Sequence, residues 1–497
     1  MSNYQELMSM YEDVVMASSI QSVLYWDVET GKMPAMGLEH RSKQFSYLTR
    51  KSQDFWRSSR VKTLLDELTK EELDDFESRN VFIIRRRHRT YTKIPLQLLE
   101  DLSSQSNTTN QVWKKAKEKI DFSIVRRDME KLFALNRDHA RKLAEIKDMN
   151  DPFDALIDQR DEGLDSKIID KYFSEARDFL IPFLKKHRQE PDDDQKHLRE
   201  IRISREKEVA ITKKIADLFE YRYEGPNAHG IIDEVEHPLT IGCGPYDSRV
   251  TVNYGKYVRT INAMNHELGH GVHGLLRNKE WSYLPVNHSG GPAIGECTSR
   301  YTENKIGKSK SYYTWFYPHL QKLVGSELSS VDMNTFYSMI NLVHPGTSRM
   351  TADEVSYGLH IIIRFELEKL LFNDQLNISE IPQAWNNKYE EYLGVEVPND
   401  SLGVMQDLHW FNTYWGYFHG YFMGDLLGSH FHHYMQKDLP NWQEDLGNGD
   451  LSDVLAWHRD HIYAHSGRYS SLDLVKEMTG DPLNVKYFKD YLTTKYS

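Results

Sequence analysis

A short motif near the middle of the chain carries two metal-binding side chains and a carboxylate. His266 to His270 reads HELGH, an HExxH sequence. On a helix, side chains four positions apart lie on one face, so both imidazoles can converge on one cation with Glu267 beside it. Two neutral imidazoles, a carboxylate and one position left for water are typical of catalytic Zn²⁺. The motif therefore predicts a zinc hydrolase, in which Co²⁺ or another divalent metal could substitute.

The residues around the motif favour a buried helix. Apolar side chains recur there with helical spacing, at Ile261, Met264, Leu268, Val272 and Leu275. A helix with such a stripe packs into a protein core, where polar side chains require partners. The two histidines are therefore expected to be bound to something, and a metal ion fits both.

The third ligand must come from another part of the chain. The extended metzincin pattern needs glycine and histidine where this sequence has His273 and Leu276, so that class is excluded. His273 lies one turn further along the helix and is predicted to pack in the core. Glu296, at the start of the next predicted helix, is the natural carboxylate ligand, and Glu303 is the competing choice.

The elements that must position these residues are mostly helical. Residues 1–220 contain only Gly31, Gly37 and Gly163, and their apolar residues recur with helical spacing. Gly, Pro and Asn interrupt residues 225–255, where the run RVTVNY (249–254) predicts a strand of one small sheet. The later helices are predicted at residues 258–277, 293–306, 352–373 and 404–435.

The sequence is predicted to form one large domain over residues 1–497. No Pro/Gly/Ser-rich or singly charged stretch is long enough to be a linker. The polar segments 106–110 and 191–194 are predicted as turns between helices. The expected organisation is a helical half, 1–220, that covers a central substrate groove, and a catalytic half, 221–497, that contains the small sheet and the zinc site.

Composition excludes several classes of function. The net charge of −12 comes from interspersed acidic and basic residues without a Lys/Arg block, which disfavours nucleic-acid binding. No apolar run is long enough to span a membrane, and the N-terminus lacks the pattern of a secretory signal. The two cysteines, Cys243 and Cys297, are too few for a disulfide framework. We expect a cytoplasmic protein without a membrane partner.

Seven motifs in order along the chain resemble the carboxypeptidase Taq family, also called thermostable carboxypeptidases. They are Trp26–Thr30 with Met33-Pro34, His237-Pro238-Leu239, Asp247–Thr251 (DxRxT), the HExxH motif, Glu296–Arg300, Arg349–Asp353 (RxxAD) and Gly403–Trp410 (GxxQDxHW). The ordered set covers nearly the whole chain and is much more specific than any one motif.

The resemblance implies a mainly helical, groove-bearing fold and a homodimer. It implies that His266, His270 and Glu296 are the zinc ligands and that Glu267 is the general base, which decides against Glu303. The implied activity is hydrolysis of the last peptide bond of peptides with a free C-terminus, releasing single amino acids with broad specificity.

Some positions depart from the family pattern. The family usually has His before the ligand glutamate and Gln two positions after it, where this chain has Gly295 and Thr298. Leu239 stands where the family has Phe, and His419-Gly420 where it usually has Pro-Thr. The predicted ligands and base are intact, so these changes concern substrate preference and the surroundings of the metal.

Other family motifs supply candidates for substrate binding. On a strand, Asp247, Arg249 and Thr251 share one face; they could form an in-strand ion pair, but the resemblance favours a wall of the substrate groove. His237, Gln406 and Asp407 are assigned to substrate binding with them.

A carboxypeptidase must also recognise the terminal carboxylate, and Arg349 is our candidate because its planar guanidinium can bind both oxygens. The alternative is an arginine at a helix start that pairs with Asp353 or Glu354. The RxxAD resemblance favours substrate binding.

His409 and Tyr421 could donate hydrogen bonds to the oxyanion that forms at the scissile carbonyl. The alternative is core packing, since their segment is rich in aromatic residues and contains glycines at every fourth position, Gly416, Gly420, Gly424 and Gly428. These glycines predict a close helix crossing.

Two other functions remain open at this stage. A helical zinc endopeptidase or dipeptidyl carboxypeptidase would share HExxH and the downstream glutamate. A helical interaction protein without metal, whose histidines only pack, is the alternative outside the enzymes.

Overall fold

Helices begin almost at the first residue of the chain, in a computed structural model that describes residues 1–497 apart from the side chain of residue 466. The helices of the first part are α1 (Asn3–Glu29), α2 (Leu38–Trp56), α3 (Ser59–Glu67), α4 (Asp75–Lys93), α5 (Leu96–Lys119), α6 (Ser123–Lys147), α7 (Pro152–Arg160), α8 (Ser166–His187), α9 (Asp193–Glu200) and α10 (Arg205–Leu218). Side-chain caps start many of them, for example Asp74 before α4.

A small sheet follows, as predicted. It consists of β1 (Gly230–Glu234), β2 (Thr240–Gly244) and β3 (Asp247–Val252), in the order β1-β3-β2. β1 and β3 are parallel, while β2 and β3 form an antiparallel hairpin with an irregularity between Gly242 and Gly244. β3 is therefore the central strand, and its predicted start at Arg249 lies two residues inside the observed one.

The second part of the chain is helical again. Its helices are α11 (Tyr257–Leu276), α12 (Pro292–Tyr301), α13 (Lys310–Val324), α14 (Met333–Ile340), α15 (Glu354–Phe372), α16 (Ile381–Leu393), α17 (His419–Asp438), α18 (Trp442–Gly447), α19 (Ser452–His461), α20 (Ser471–Thr479) and α21 (Lys486–Tyr496). A π-helical segment, Thr302–Ile306, continues directly from α12. The predicted fold class, mainly helical with one small sheet beside the HExxH helix, is confirmed.

Two local predictions are wrong. Residues 106–110 do not form a turn but lie inside α5, where their polar side chains have partners: Ser106 donates to Asn412, and Thr109 donates to Gln105 O. Residues 404–418 are not α-helical but form turns and a short 3₁₀ helix, His409–Phe411; Gly416 adopts φ +64°, and a side chain there would meet Leu156 Cβ of α7 at 3.0 Å. The turn predicted at 191–194 does separate α8 from α9.

Three helices that surround the HExxH motif pack unusually closely. A side chain at Gly269 of α11 would meet Ser299 Cα at 2.5 Å, and one at Gly424 of α17 would meet the Glu296 carbonyl carbon at 2.7 Å. α12 is therefore held between two helices that lack side chains at the contacts. The close helix crossing predicted from the glycine spacing is confirmed for α17.

The main apolar core contains residues from Ile94 to Leu492, and a smaller one joins α1, α2, α3 and α4. The larger core draws on both predicted halves of the chain, 1–220 and 221–497, whose assignment to a single domain stays a prediction. None of the helices in the described chain has the length and apolar character needed to cross a bilayer.

Candidate active site

The HExxH motif lies on α11, and an apolar face of this helix fixes the direction in which the motif points. Ile261, Met264 and Leu268 are fully buried, which fixes the rotation of the helix and turns His266 and His270 toward α12. The two imidazole rings lie 5.1 Å apart between centroids. One donor atom from each histidine and a carboxylate oxygen of Glu296 all lie within 4.8 Å of one another.

The glycine contacts of α12 explain why Glu296 reaches the histidines. Gly269 and Gly424 let the backbone of α12 approach α11 and α17 closely, so the Glu296 carboxylate lies 3.8 Å from His266 Nε2. Ser299 Oγ donates to the same carboxylate at 3.1 Å. Two imidazoles and a buried carboxylate fit a divalent cation.

Glu303, the competing ligand, binds the other nitrogen of His266. Its Oε2 is 3.1 Å from His266 Nδ1, which leaves Nε2 directed toward Glu296. Arg300 and Lys308 donate to the Glu303 carboxylate at 2.8 and 3.1 Å. Glu303 lies in the π-helical segment, a type of irregularity that often occurs at functional sites. A carboxylate on the second nitrogen of a ligating histidine orients the ring and raises its basicity.

The electrostatics of the cluster follow from burial and the surrounding carboxylates. Burial disfavours the charged form of His266, but the hydrogen bond to Glu303 and the nearby Glu267 and Glu296 outweigh it and raise its pKa to about 9. Burial, with the neighbouring His266, lowers the pKa of His270 well below its usual value. Burial also raises the pKa of Glu267 and of Glu296. Three carboxyl groups around two imidazoles form an acidic cluster that a cation would neutralise.

Glu267 is held by the edge strand of the sheet. Thr240 Oγ1 of β2 donates to Glu267 Oε2 at 2.7 Å and to the Glu267 carbonyl at 3.0 Å. The hydroxyl therefore fixes the carboxylate of the HExxH glutamate as well as the helix that carries it.

Arg349 lies in a buried network that leaves one side of its guanidinium unused. Among the described residues its side chain makes a hydrogen bond only through Nε, to Asp407 Oδ1 at 2.7 Å. Arg364 donates to the other Asp407 oxygen at 2.6 Å. Burial opposes the charge on Asp407, but Arg349 and Arg364 outweigh it and lower its pKa. Gln406 accepts from Arg364 at 2.9 Å and, at 3.4 Å, from the Arg349 backbone.

Arg349 pairs with neither Asp353 nor Glu354, the alternative that its sequence position suggested. Asp353 instead caps α15 by accepting from the backbone of Val355 and Ser356, and Glu354 binds Lys305 and Lys495. Gln406 and Asp407, which were predicted to bind substrate, contact Arg349: Asp407 accepts from its Nε and Gln406 from its backbone nitrogen.

His409 and Tyr421 form a pair close to Arg349. His409 Nε2 lies 3.2 Å from the Tyr421 hydroxyl, and the Arg349 guanidinium lies 4.8 Å from the centre of the Tyr421 ring. Burial, reinforced by Arg349, lowers the pKa of His409 to about 3, so its imidazole is neutral near pH 7.

The remaining predicted residues lie around the sheet. Arg249 makes a two-point ion pair with Asp247 within β3, at 2.8 and 2.6 Å. The buried Thr251 exchanges hydrogen bonds with the backbone of Leu239. His237 is exposed in the segment between β1 and β2. The structure does not bring these four residues into the metal cluster, and their role in substrate binding stays a prediction.

Several residues of the site were missed by the sequence analysis. Thr240, Arg300 and Tyr357 bind or cover the site residues; Thr240 and Tyr357 lie outside the motifs, and Arg300 was given no role. Arg300 lies within the Glu296–Arg300 motif and could have been noticed, since an arginine four residues after a predicted ligand glutamate lies on the same helix face.

A mainly helical fold with two histidines and a glutamate around one point, and with the HExxH glutamate held beside them, is the arrangement of an HExxH metallopeptidase. Comparison with known proteins gives the particular family. The family model for carboxypeptidase Taq (M32) metallopeptidases matches residues 6–496. The chain belongs to this family, as its motifs suggested.

Individual relatives agree with this assignment over almost their full lengths. The chain is 30% identical to carboxypeptidase 1 of Bacillus subtilis, covering 97% of this chain and 95% of that protein. It is 29% identical to thermostable carboxypeptidase 1 of Pyrococcus furiosus, covering 99% and 98%.

Solved structures agree as well. A structure of Pyrococcus furiosus carboxypeptidase matches with a TM-score of 0.94 at 27% identity, covering 100% of this chain and 99% of that one. The M32 carboxypeptidase of Deinococcus radiodurans matches with a TM-score of 0.93 at 25% identity and the same coverage. The protein is a metallocarboxypeptidase that uses a divalent metal and acts on peptides. The alternative of a helical interaction protein without metal is wrong.

Proposed function

We propose that this protein is a zinc-dependent carboxypeptidase that releases single amino acids, with broad specificity, from the C-terminus of peptides. The observation that carries the proposal is the group of donor atoms from His266, His270 and Glu296 within 4.8 Å. This donor set suits Zn²⁺, and Co²⁺ or another divalent ion could substitute. When bound, the ion would polarise the scissile carbonyl and make the attacking water more acidic.

The side chains around this group have distinct roles in the proposed reaction. Glu267 accepts the proton of the attacking water and then delivers it to the leaving amine; the hydrogen bond from Thr240 keeps its carboxylate in position. His409 donates Nε2–H to the Tyr421 oxygen, so that the phenolic hydrogen is available to the developing oxyanion.

Arg349 sets the position of the peptide. Its Nη groups bind the terminal carboxylate, while Asp407 fixes the guanidinium through Nε. Holding the last residue beside the cluster allows only the final peptide bond to reach Glu267. Gln406 supports Arg349, and we retain His237, Asp247, Arg249 and Thr251 as candidates for the groove wall.

A digestion experiment tests the proposal. A peptide with a blocked N-terminus should lose one residue at a time, and a chelator should stop the release until Zn²⁺ is restored. The same peptide with a C-terminal amide should be a poor substrate. Cleavage at internal bonds would instead identify an endopeptidase, and release of residue pairs a dipeptidyl carboxypeptidase.

The proposed base is tested separately. Glu267→Gln should keep the metal and the fold and reduce kcat by a factor of at least about 10² to 10⁴, the usual contribution of a positioned base. Full activity in the metal-loaded variant would contradict the role of Glu267.

We also propose a homodimer in the cytoplasm. The homodimer rests on the family resemblance alone. The two cysteines are free and buried, which fits a reducing compartment.

A further inference from the structure

Tyr357, in the first turn of α15, has an unpaired hydroxyl close to the candidate active site. The residue is 6% exposed, and its ring lies over the Arg300 guanidinium with 3.7 Å between the guanidinium carbon and the ring centre. Within the described part of the chain the hydroxyl has no hydrogen-bond partner, yet its oxygen is not fully enclosed. A mostly buried hydroxyl without a partner is costly, so its position points to a ligand group.

The charged groups around Tyr357 show where the hydroxyl lies. Two arginines, Arg300 and Arg349, and two carboxylates, Glu296 and Asp425, are close enough to influence its pKa. The hydroxyl is therefore near both the proposed metal ligand Glu296 and the proposed carboxylate-binding Arg349. Burial is the main cause that raises the pKa of Tyr357, so at neutral pH the hydroxyl is protonated and can donate a hydrogen bond.

The terminal carboxylate of a peptide is the acceptor that suits this donor. The two oxygens of a carboxylate offer about four acceptor sites, and the Arg349 fork uses two of them. Arg349, the proposed anchor of that carboxylate, is one of the charged groups near the hydroxyl. The scissile carbonyl already has a candidate donor in Tyr421, which is paired with His409.

We propose that Tyr357 is a substrate-binding residue whose hydroxyl donates a hydrogen bond to the terminal carboxylate of the peptide, beside Arg349. The inference rests on the proposed carboxypeptidase function and assigns one more residue to recognition of the C-terminus. It also gives Tyr357 two roles on one side chain, since its ring covers Arg300, the arginine that binds Glu303.

Tyr357→Phe tests the proposal, because it removes the hydroxyl and keeps the ring over Arg300. KM for peptides with a free C-terminus should rise about tenfold or more, the usual effect of losing a hydrogen bond to a charged group, with kcat little changed. Tyr313→Phe is the matched control: Tyr313 is fully buried in the core on α13 and its hydroxyl is also unpaired. The control should leave KM unchanged, and neither variant should lower the unfolding midpoint.

A binding measurement separates carboxylate recognition from an effect on the reaction. In zinc-loaded Glu267→Gln protein, we expect adding Tyr357→Phe to weaken binding of a free-acid peptide about tenfold and to leave binding of the C-terminal amide unchanged. Equal weakening of acid and amide, or a lower kcat with unchanged KM, would overturn the inference.

The inference and the proposed function fail differently. An active carboxypeptidase whose KM is unaffected by Tyr357→Phe would contradict the role of Tyr357 alone. A wild-type protein that cleaves only internal bonds would contradict both.

Discussion

Glu303→Gln probes how much the carboxylate behind His266 contributes to metal binding. The variant keeps an oxygen that can accept from His266 Nδ1, whose distance to Glu303 Oε2 is 3.1 Å, but removes the negative charge. The two cations that bind Glu303 each keep a second partner, since Arg300 also pairs with Asp425 at 3.2 Å and Lys308 with Asn304 at 2.9 Å. We therefore expect the variant to fold.

The expected loss is in metal affinity. Replacing a carboxylate that orients a ligating histidine typically costs about 10- to 100-fold in affinity, or about 1.4 to 2.7 kcal/mol. In the metal-free protein, losing the carboxylate should also lower the pKa of His266 from about 9, because the hydrogen bond to Glu303 is the main cause that raises it. A divalent metal ion competes with a proton for His266 below the pKa of this residue. Metal affinity should therefore stop rising with pH at a lower pH in the variant than in the wild type.

Competition with a chromophoric chelator between pH 6 and 9 measures both effects. Glu39→Gln provides a control, because Glu39 lies on the exposed surface of α2 and pairs with Lys43. Glu296→Gln provides the reference for loss of a ligand. Wild-type affinity in Glu303→Gln would refute the reasoning, and a loss as large as that of Glu296→Gln would show that Glu303 is itself a ligand.

Three further predictions concern the packing, the substrate and acid stability. Gly424→Ala should lower the free energy of unfolding by about 1–3 kcal/mol and weaken metal binding, because its Cβ would lie 2.7 Å from the backbone of Glu296. Gly428→Ala should be tolerated, because its Cβ would lie 3.5 Å from the nearest neighbouring atom, and chemical denaturation compares the two variants. Arg349→Lys should raise KM for free-acid peptides by at least about tenfold with less effect on amides, measured by steady-state kinetics. The free energy of unfolding should fall as the pH drops below 6.5, because the pKa of the buried His458 is about 4 in the folded chain and about 6.5 in the unfolded chain. In denaturation experiments at pH 4.5–6.5, His458→Gln should reduce the dependence of the free energy of unfolding on pH by up to about 1.4 kcal/mol per pH unit.

The sequence predicted the helix that carries the metal motif almost to the residue, 258–277 against Tyr257–Leu276. It could do so because one apolar stripe and two histidines with helical spacing agree on the same element. The segment 404–418 misled the same reasoning. Its aromatic residues suggest a buried helix, but they pack around turns that Trp410 and Gly416 fix by donating to Glu368, a residue far away in sequence.

The substrate-binding side of the site was only partly predictable, because it too depends on contacts between residues that are far apart in sequence. Arg349 and Asp407 each stand in a recognisable motif, yet nothing in either motif shows that the aspartate binds the arginine and leaves its Nη groups unused. Arg364, which completes the network, belongs to no motif and is fully buried in α15. Contacts between distant segments decide which members of a motif can touch substrate and which hold those members in place.

The choice between Glu296 and Glu303 shows what spacing can and cannot decide. The two residues are seven positions apart, close to two helical turns, so both lie on the face of α12 and its π-helical continuation that points to α11. Either could therefore have been the ligand. An imidazole has two nitrogens, and in the folded chain Glu303 contacts Nδ1 while Glu296 approaches Nε2. The two glutamates thus lie beside different nitrogens of the same histidine. Glu303 is the less suitable of the two to neutralise a metal ion, because its charge is already paired with Arg300 and Lys308.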